Sequence, residues 1–202
     1  MLIDTHVHTK RHSGCSLIDP NELVKSIKDL PIDGIIITEH NYMWNLDEQE
    51  KLRKYCPDTL ILFGMELTCK HSLHYLIYVD QSVTDMNLYE YMDEVEMFKE
   101  AQKWGGVVVP AHMFRYGREV DVFDVSLTPV DGLEVKSTNI SDDEMRKTVD
   151  IAKKLNISMI AGSDAHHIRD VGRYYTQFDD KILTEGDIVK AIKSQSCRAV
   201  IL

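Results

Sequence analysis

The chain has 202 residues, 44% of them apolar and 28% charged, which predicts one globular domain over residues 1–202. Its formal net charge of −10 argues against a broad basic surface for nucleic acid, although bound cations could reverse the local field for a phosphate substrate. No apolar run approaches the ~18 residues of a membrane span, and Asp4 and His6 interrupt any signal peptide. The four cysteines form no C-x-x-C pair, so we expect reduced thiols and a cytoplasmic location.

Strand and helix signals alternate along the chain. Short apolar or β-branched runs predict strands, and the helices begin at caps such as Asp19 before Pro20 and the capping box that starts at Ser141. The predicted strands cover residues 2–8, 34–38, 60–66, 74–79, 107–109, 132–135, 157–161 and 198–202. The predicted helices cover residues 20–30, 46–55, 88–104 and 142–155, and a last one begins near Thr184.

The alternation predicts an α/β fold. Apolar strands separated by helices form a parallel sheet that helices cover. Histidines and acids follow several of the predicted strands, and closed α/β barrels carry their active sites at the carboxyl ends of the strands. An open sheet would instead gather ligands at a single switch point. About seven strands precede the terminal run at residues 198–202, one fewer than in the eight-stranded form, and therefore predict a distorted or incomplete barrel.

The first predicted strand carries an H-x-H motif. Side chains of an extended strand repeat with a period of two, so His6 and His8 should point the same way while Val7 faces the other side. Both imidazoles could then reach one metal ion. Asp4 lies on the same face, where we expect it either to orient a ligand or to make a plain core hydrogen bond.

Further metal-binding side chains lie near the ends of other predicted strands. Four ligands complete one tetrahedral zinc site, so a larger set indicates more than one ion. Nitrogen and oxygen donors suit zinc, manganese or iron, and Glu66 and Asp164 could bridge two or three such divalent ions. Alternatively, each histidine only forms local hydrogen bonds at its strand end. The candidate ligands are His6, His8, His40, Glu66, His74, His112, Asp164 and His166.

Short motifs follow one another in a fixed order: Asp4-Thr-His6-Val-His8, Ile37-Thr38-Glu39-His40, Gly64-Met65-Glu66, Pro110-Ala111-His112 and Gly162-Ser163-Asp164-Ala165-His166. Together they resemble the PHP family, the polymerase and histidinol phosphatase domain. The resemblance covers essentially the whole chain. It implies a distorted (β/α)7 TIM-like barrel of the PHP type, a centre of two or three metal ions, and phosphoester hydrolysis. It also implies that the candidates within these motifs are metal ligands and that His74 matches the family's additional histidine.

The loop after the H-x-H motif departs from the family pattern. Many PHP members carry an acid or a histidine there, and in residues 9–16 of this chain the only strong donor is His12. The resemblance therefore makes His12 a further candidate ligand, whereas a loop histidine is otherwise usually exposed to solvent. His71 and His167 are expected at the surface or behind the ligands.

Phosphate recognition needs cationic groups beside the metal ions, and arginine offers a planar fork for phosphate oxygens. A metal-activated water would attack phosphorus in line, and His112 or His12 could protonate the leaving alkoxide. His112, His12 and Asp164 form the predicted catalytic set. The candidate substrate-binding residues, which could equally be solvated charges or surface ion pairs, are Arg115, Arg118, Lys136, Arg169 and Arg173.

The sequence thus predicts a metal-dependent phosphoesterase that hydrolyses a small phosphomonoester or a nucleotide-type substrate. A metal-dependent hydrolase of C–N or C–O bonds is the alternative enzyme class, and a non-catalytic metal-binding regulatory module is a third possibility. The chain contains no G-x-S-x-G or P-loop sequence, which argues against serine-hydrolase and NTP-binding functions. The expected partner is a small phosphorylated substrate rather than a membrane, and the oligomeric state is left open.

Overall fold

The computed structural model describes residues 1–80, 86–126 and 128–201. The strands of this part are β1 (Leu2–Val7), β2 (Gly34–His40), β3 (Leu60–Thr68), β4 (His74–Tyr78), β5 (Val107–Pro110), β6 (Gly132–Lys136), β7 (Ser158–Ala161), β8 (Tyr175–Phe178) and β9 (Cys197–Val200). The α-helices of the same ranges are α1 (Pro20–Ser26), α2 (Leu46–Tyr55), α3 (Glu94–Lys103), α4 (Val122–Ser126), α5 (Asp142–Leu155) and α6 (Glu185–Lys193).

Most of the described strands form one mixed sheet in the order β5-β4-β3-β2-β1-β8-β9, and β6 pairs with β7 beside it. β1, β2 and β3 are parallel, whereas β4 runs antiparallel to β3 and β5, and β8 runs antiparallel to β1 and β9. Backbone hydrogen bonds connect the β6–β7 pair to both sides of the sheet: Asp131 donates to Val108 (3.0 Å), and His8 donates to Ala165 (3.1 Å). The protein is therefore an α/β fold on a curled mixed sheet.

The reversed strand β4 distinguishes this sheet from the parallel barrel that the sequence predicts. Residues 69–73 join β3 to β4, and this connection is too short for the crossover of about a dozen residues that parallel neighbours require. β8 adds a strand that the sequence does not predict, because its four residues, Tyr-Thr-Gln-Phe, form neither an apolar run nor a strict alternation of apolar and polar residues. The α/β class is confirmed, but the described strands do not show a complete (β/α)7 barrel.

Most predicted helices are confirmed to within a few residues. α2 and α5 have the predicted bounds, and Ser141 and Glu144 form the predicted capping box. α3 begins at Glu94 rather than near residue 88, because the Asp93 side chain accepts a hydrogen bond from Val95 N and caps the helix there. The last predicted strand corresponds to β9, and its final predicted residue, Leu202, lies outside the described residues.

The central strand β2 is buried on both faces. Ile35 and Ile37 belong to the same apolar cluster as Leu23 of α1, whereas Ile36 belongs to the cluster of Ile188 of α6. A strand with apolar residues on both faces is typical of a sheet covered by helices on both sides. This packing fixes the strand ends that carry the polar residues. Within the described ranges, no helix combines the length and the hydropathy needed to cross a membrane.

Candidate metal centre

Four buried side chains converge at one edge of the sheet. His6 lies on β1 and His8 just after it, Glu66 lies near the end of β3, and Asp164 follows β7. Their ligand atoms all lie within 4.8 Å of one another. The two Nε2 atoms of His6 and His8 are 2.9 Å apart, and Asp164 Oδ1 lies 3.2 Å from His8 Nε2. The structure therefore brings His6 and His8 to one side of the strand, as the period of two predicts.

Glu66, one of these four residues, also faces three further histidines. Its Oε1 lies 2.9 Å from His74 Nδ1 and 3.0 Å from His112 Nε2, and its Oε2 lies 2.9 Å from His40 Nδ1. Because its two oxygens face different histidines, the carboxylate is placed to bridge two cations. Two further groups with ligand atoms within 4.8 Å are His40, Glu66 and His74, and His8, His40 and His166.

The direction of β4 explains why His74 reaches this edge. His74 is the first residue of β4, and in the antiparallel register it pairs with Thr68 at the end of β3. The first residue of a parallel strand would lie at the opposite edge of the sheet. The reversal therefore moves a residue from the start of a strand to the edge where the other strands carry their ligands.

Two of the candidate ligands, His112 and Asp164, have a left-handed backbone, with φ of 31° and 52°. This conformation costs a residue other than glycine about 1–3 kcal/mol and is concentrated at functional sites. A hydrogen bond holds each turn: His112 N donates to Glu134 Oε2 (3.1 Å), and Asp164 N donates to His6 O (2.7 Å). The turns place both side chains beside the buried histidines and Glu66.

The donor set fits a divalent cation. Glu66 Oε2 is buried and accepts no hydrogen bond of acceptable geometry. Nevertheless, nitrogens of His40, His8 and His6 lie 2.9, 3.2 and 3.4 Å from this oxygen. Buried polar atoms are almost always hydrogen-bonded, so close donors without a hydrogen bond need another explanation. Imidazole and carboxylate groups that face one point are the ligands that zinc and similar ions prefer.

The electrostatics of the cluster also favour a cation. Burial by itself lowers the pKa of His6. The carboxylates of Asp164, Glu134 and Glu66 together outweigh burial and hold this pKa well above its usual range. Burial raises the pKa of Glu66, yet the neighbouring histidines, above all His6, hold it well below its usual range. The buried carboxylates therefore attract positive charge. Protons and a divalent cation compete for the same donors, so a divalent cation can supply this charge.

Two polar residues outside the predicted set hold ligands in place. Glu134 is fully buried, and its Oε1 lies 2.8 Å from His6 Nδ1, which leaves His6 Nε2 facing the cluster. Asn139 Nδ2 donates to Asp164 Oδ2 (2.5 Å). The sequence does carry a signal for Glu134, because an acid between Leu133 and Val135 in a buried strand needs a polar partner. Asn139 lies in a loop and gives no such signal.

Asp4 makes core hydrogen bonds and does not orient an imidazole. Its buried carboxylate accepts hydrogen bonds from the backbone N–H groups of Ser163 (2.7 Å), Gly172 (2.8 Å) and His6 (3.3 Å). Burial raises the pKa of Asp4 to about 6, although these hydrogen bonds oppose the increase. Asp4 thus ties the segments after β7 to β1 and holds the backbone next to the ligands.

His12 lies outside the cluster. Its ring stacks on Tyr42 with centroids 3.9 Å apart, meets Trp44 edge-on at 5.2 Å, and places Nε2 3.3 Å from Glu48 Oε1. These contacts turn His12 away from the candidate ligands, and the following residue, Ser13, faces them instead. The structure therefore does not place His12 where the predicted ligand and proton-donor roles require it.

An open cleft of about 450 Å³ leads to the surface histidines of the cluster. His40, His74, His166 and Asp164 line it, together with Arg115. Arg115 lies over the ring of its neighbour Tyr116, with 5.0 Å between the guanidinium carbon and the ring centroid. Of the predicted phosphate-binding cations, Arg115 is the one that lines this cleft.

Lys136 and Arg118 bind other parts of the protein. Lys136 Nζ donates to Ile140 O (2.9 Å) and to the carboxylate of Asp142 (2.8 Å), so its charge is already paired. Arg118 donates to two backbone carbonyls in the turn before β4 and lines a different, apolar groove. Local acceptors therefore hold both cations away from the cleft, and their role as substrate-binding residues stays a prediction.

Arg169 and Arg173 are largely exposed and flank Asp170. Each has a guanidinium nitrogen 3.9 Å from the Asp170 carboxylate. Asp170 lines the cleft, but the two arginines do not. They are solvated charges at its outer margin, since ion pairs at this exposure are weak.

Comparisons with known proteins agree with this description. A family model described as PHP-associated matches residues 143–197, a segment that includes Asp164 and His166. A two-domain protein from Bacteroides vulgatus, which contains a predicted PHP-like metal-dependent phosphoesterase, has the same fold with a TM-score of 0.74 and 19% identity. The resemblance to the PHP family is confirmed. The match covers all 202 residues of the present chain and 64% of the Bacteroides chain.

Two further solved structures share this PHP-like fold. A protein from Bifidobacterium adolescentis, provisionally assigned as a metal-dependent phosphoesterase, matches with a TM-score of 0.70 and 18% identity over 99% of this chain and 97% of its own. An amidohydrolase from Chromobacterium violaceum with bound SO4 and no metal matches with a TM-score of 0.66 and 15% identity over 84% of this chain and 89% of its own. No curated protein matches the sequence.

Proposed function

We propose that this protein is a metal-dependent phosphoesterase that hydrolyses a small phosphomonoester or a nucleotide-type substrate. The main support is the convergence of four buried donors, His6, His8, Glu66 and Asp164, beside an open cleft. Two structurally similar proteins carry a metal-dependent phosphoesterase description. We further propose that the curled sheet is a distorted form of the PHP-type (β/α)7 barrel, and that the protein acts in the cytoplasm on a small phosphorylated partner.

The chain offers ligands for two or three divalent ions, zinc, manganese or iron. We assign an inner site to His6, His8 and Asp164 and an outer site to His40 and His74. Glu66 would belong to both sites. When bound, such ions lower the pKa of water and neutralise charge on a phosphoryl group. His112 is buried against Glu66, which supports a ligand role more than proton transfer to a leaving group.

The cleft supplies the remaining parts of the mechanism. Arg115 would bind phosphate oxygens through its planar guanidinium and hold phosphorus over the buried donors. His166 donates its Nδ1 hydrogen to Asp164 O (3.0 Å), which leaves Nε2 available on the side of the cleft. Asn139 orients Asp164, and Glu134 orients His6, so the reacting centre is held by groups that need no rearrangement.

A hydrolase of C–N or C–O bonds is the second candidate, because the Chromobacterium amidohydrolase shares the fold. Both candidates use a metal-activated water at the same place, so the ligands alone cannot distinguish them. The distinguishing group is Arg115, whose charge and planar shape suit a phosphate. A non-catalytic regulatory module is the third candidate, and it predicts metal binding without turnover.

The test combines metal analysis of the purified protein with a substrate screen with and without chelator. We expect two or more equivalents of manganese, iron or zinc, and phosphate release from phosphomonoesters that chelator abolishes. His8→Ala should lose metal and activity, whereas His71→Ala, which changes an exposed histidine outside the ligand groups, should retain both. Unchanged hydrolysis by His8→Ala would refute the mechanism, and turnover of amides alone would favour the second candidate.

A further inference from the structure

The metal ligands proposed above do not include Glu39, although this carboxylate is fully buried next to them. It accepts hydrogen bonds from Thr9 N (3.0 Å), Thr9 Oγ1, Ser13 Oγ (2.5 Å) and Trp44 Nε1 (3.1 Å). All of these donors are neutral. A buried carboxylate with neutral donors is costly, so its presence next to the ligands calls for a role.

Ser13 connects Glu39 to two candidate ligands. Its hydroxyl oxygen accepts a hydrogen bond from His40 N (3.0 Å) and lies 3.4 Å from His8 Nδ1. The residue is only 1% exposed, so water does not compete for these contacts. Ser13 therefore lies between a buried negative charge and an imidazole of the proposed metal centre.

The hydrogen-bonding capacity of the hydroxyl determines which group donates. A serine hydroxyl has one proton and two lone pairs. Its 2.5 Å contact with a carboxylate has the length of a charge-assisted hydrogen bond, so the proton of Ser13 points to Glu39. Both lone pairs then remain for donors, one for His40 N and one for His8. It follows that the hydrogen of the neutral His8 ring lies on Nδ1.

This tautomer leaves a lone pair on His8 Nε2, the atom that lies 3.2 Å from Glu66 Oε2 and 3.2 Å from Asp164 Oδ1. On His6, a direct contact with Glu134 sets the same tautomer. We infer that Ser13, held by Glu39, is a positioning residue that sets the tautomer and orientation of His8 toward the metal centre. The inference rests on the proposed metal centre. It adds Ser13 and Glu39 as the two residues that orient His8.

The test measures Zn²⁺ affinity by chelator competition in the purified full chain. Ser13→Ala should weaken Zn²⁺ binding by about tenfold or more, the usual effect of removing a group that orients a ligand. Trp44→Phe is the matched control, because it removes another neutral donor from Glu39 without touching His8. It should leave the affinity within about twofold of the wild type, well below the effect of losing an orienting group.

A spectroscopic measurement separates positioning from general loosening of the fold. In the Zn²⁺-loaded wild type, the hydrogen on His8 Nδ1 should appear as a slowly exchanging ring N–H signal in NMR spectra of histidine-labelled protein. The signal should be lost by fast exchange in Ser13→Ala and retained in Trp44→Phe. Ser13→Thr, which keeps the hydroxyl, should restore both the signal and most of the affinity.

Glu39→Gln provides the second route should Ser13→Ala fail to fold. A Gln side chain can donate to Ser13 Oγ, which would turn the hydroxyl proton toward His8 Nδ1 and disfavour the required tautomer. We therefore expect weaker Zn²⁺ binding and loss of the same signal. Unchanged affinity and an unchanged signal in Ser13→Ala, or in Glu39→Gln, would overturn the inference while the proposed function stands. Equal losses in Trp44→Phe would also overturn it, and a wild type without Zn²⁺ binding would overturn both.

Discussion

The inner and outer halves of the candidate metal centre are built differently. The inner side chains, His6, His8, Glu66 and Asp164, are at most 1% exposed. The outer side chains, His40, His74 and His166, are 25, 17 and 24% exposed. Ion–ligand interactions are stronger where water is excluded, whereas exposed ligands can exchange with solvent or substrate. Under the proposed function, the inner site would therefore hold its ion more tightly than the outer site.

The residues that orient the ligands also differ between the two halves. In the inner half, Glu134 holds His6 directly, and Glu39 acts on His8 through Ser13. In the outer half, the ring nitrogens of the histidines contact Glu66 or the backbone of Asp164, which belong to the centre itself. A support from a residue outside the centre does not depend on a bound ion, whereas a ligand that contacts only other ligands must share its partner with the ion. The inner half should therefore be formed before any ion binds.

The largest effect should come from the residue shared by both halves. Glu66→Gln removes the charge that faces the inner and the outer histidines, so both ions should be lost. Binding at a thousand times Kd stabilises a protein by about 4 kcal/mol, and this Zn²⁺-dependent gain in the free energy of unfolding should disappear. Thermal unfolding with and without Zn²⁺ measures it. Glu185→Gln, which changes a buried acid paired with Arg53 elsewhere, is the control and should keep the gain. Two retained equivalents in Glu66→Gln would contradict the shared role.

An intermediate effect should follow from removing the support of the inner half. In Glu134→Gln the amide can present a donor to His6 Nδ1, which disfavours the tautomer with a free Nε2. We expect the tightest Zn²⁺ to bind about 10–100-fold more weakly, measured by chelator competition. Asp131→Asn alters an acid immediately before the same strand, where it accepts a hydrogen bond from Val108 N, and should leave the affinity unchanged. Equal losses in both variants would indicate a general defect of β6.

A smaller effect on metal content should come from the outer half. His74→Ala should lower the metal content by one equivalent and keep the inner ion, because His74 Nδ1 lies beside Glu66 Oε1, whereas the inner histidines His6 and His8 face Glu66 Oε2. Metal analysis after extensive dialysis checks this. Loss of all metal in His74→Ala would show that the two halves bind ions as one unit and would remove the distinction between them.

The smallest effect should come from His12, which the structure places outside both halves. His12→Ala should leave the metal content unchanged and lower the free energy of unfolding by about 0.5–1.5 kcal/mol through loss of its aromatic contacts. Metal analysis and urea unfolding of the same preparation report both quantities. Loss of an ion in this variant would restore His12 as the loop ligand that the family resemblance implies.

Much of the inner half could be predicted because its signals are local. The alternation of His6 and His8 with Val7 determines their common side without knowledge of the fold. The buried strands that carry Glu66 and precede Asp164 are apolar runs, so their ends can be located from the sequence. The sequence marks Glu134 as a buried acid that needs a partner, but it could not identify that partner, since the histidine that Glu134 holds lies 128 positions away.

The outer half was harder to predict for a topological reason. In a parallel barrel the end of β4 would lie at the metal edge, but His74 stands at the start of this strand, and the antiparallel direction brings it there. That direction depends on the short connection of residues 69–73 rather than on the apolar pattern of the strand. His12 and Ser13 show the same limit, because neighbours in a loop can face opposite sides and the sequence does not indicate which one turns inward.

The hairpin of β3 and β4 has a practical consequence for redesign. Glu66 and His74 occupy one continuous stretch of the chain, so an oxygen donor and a nitrogen donor can be exchanged together as a single cassette. Replacing this cassette with the corresponding hairpin of a relative would change half of an ion's surroundings in one step and leave the H-x-H strand intact. The hairpin is therefore the natural unit for altering which metal the protein prefers.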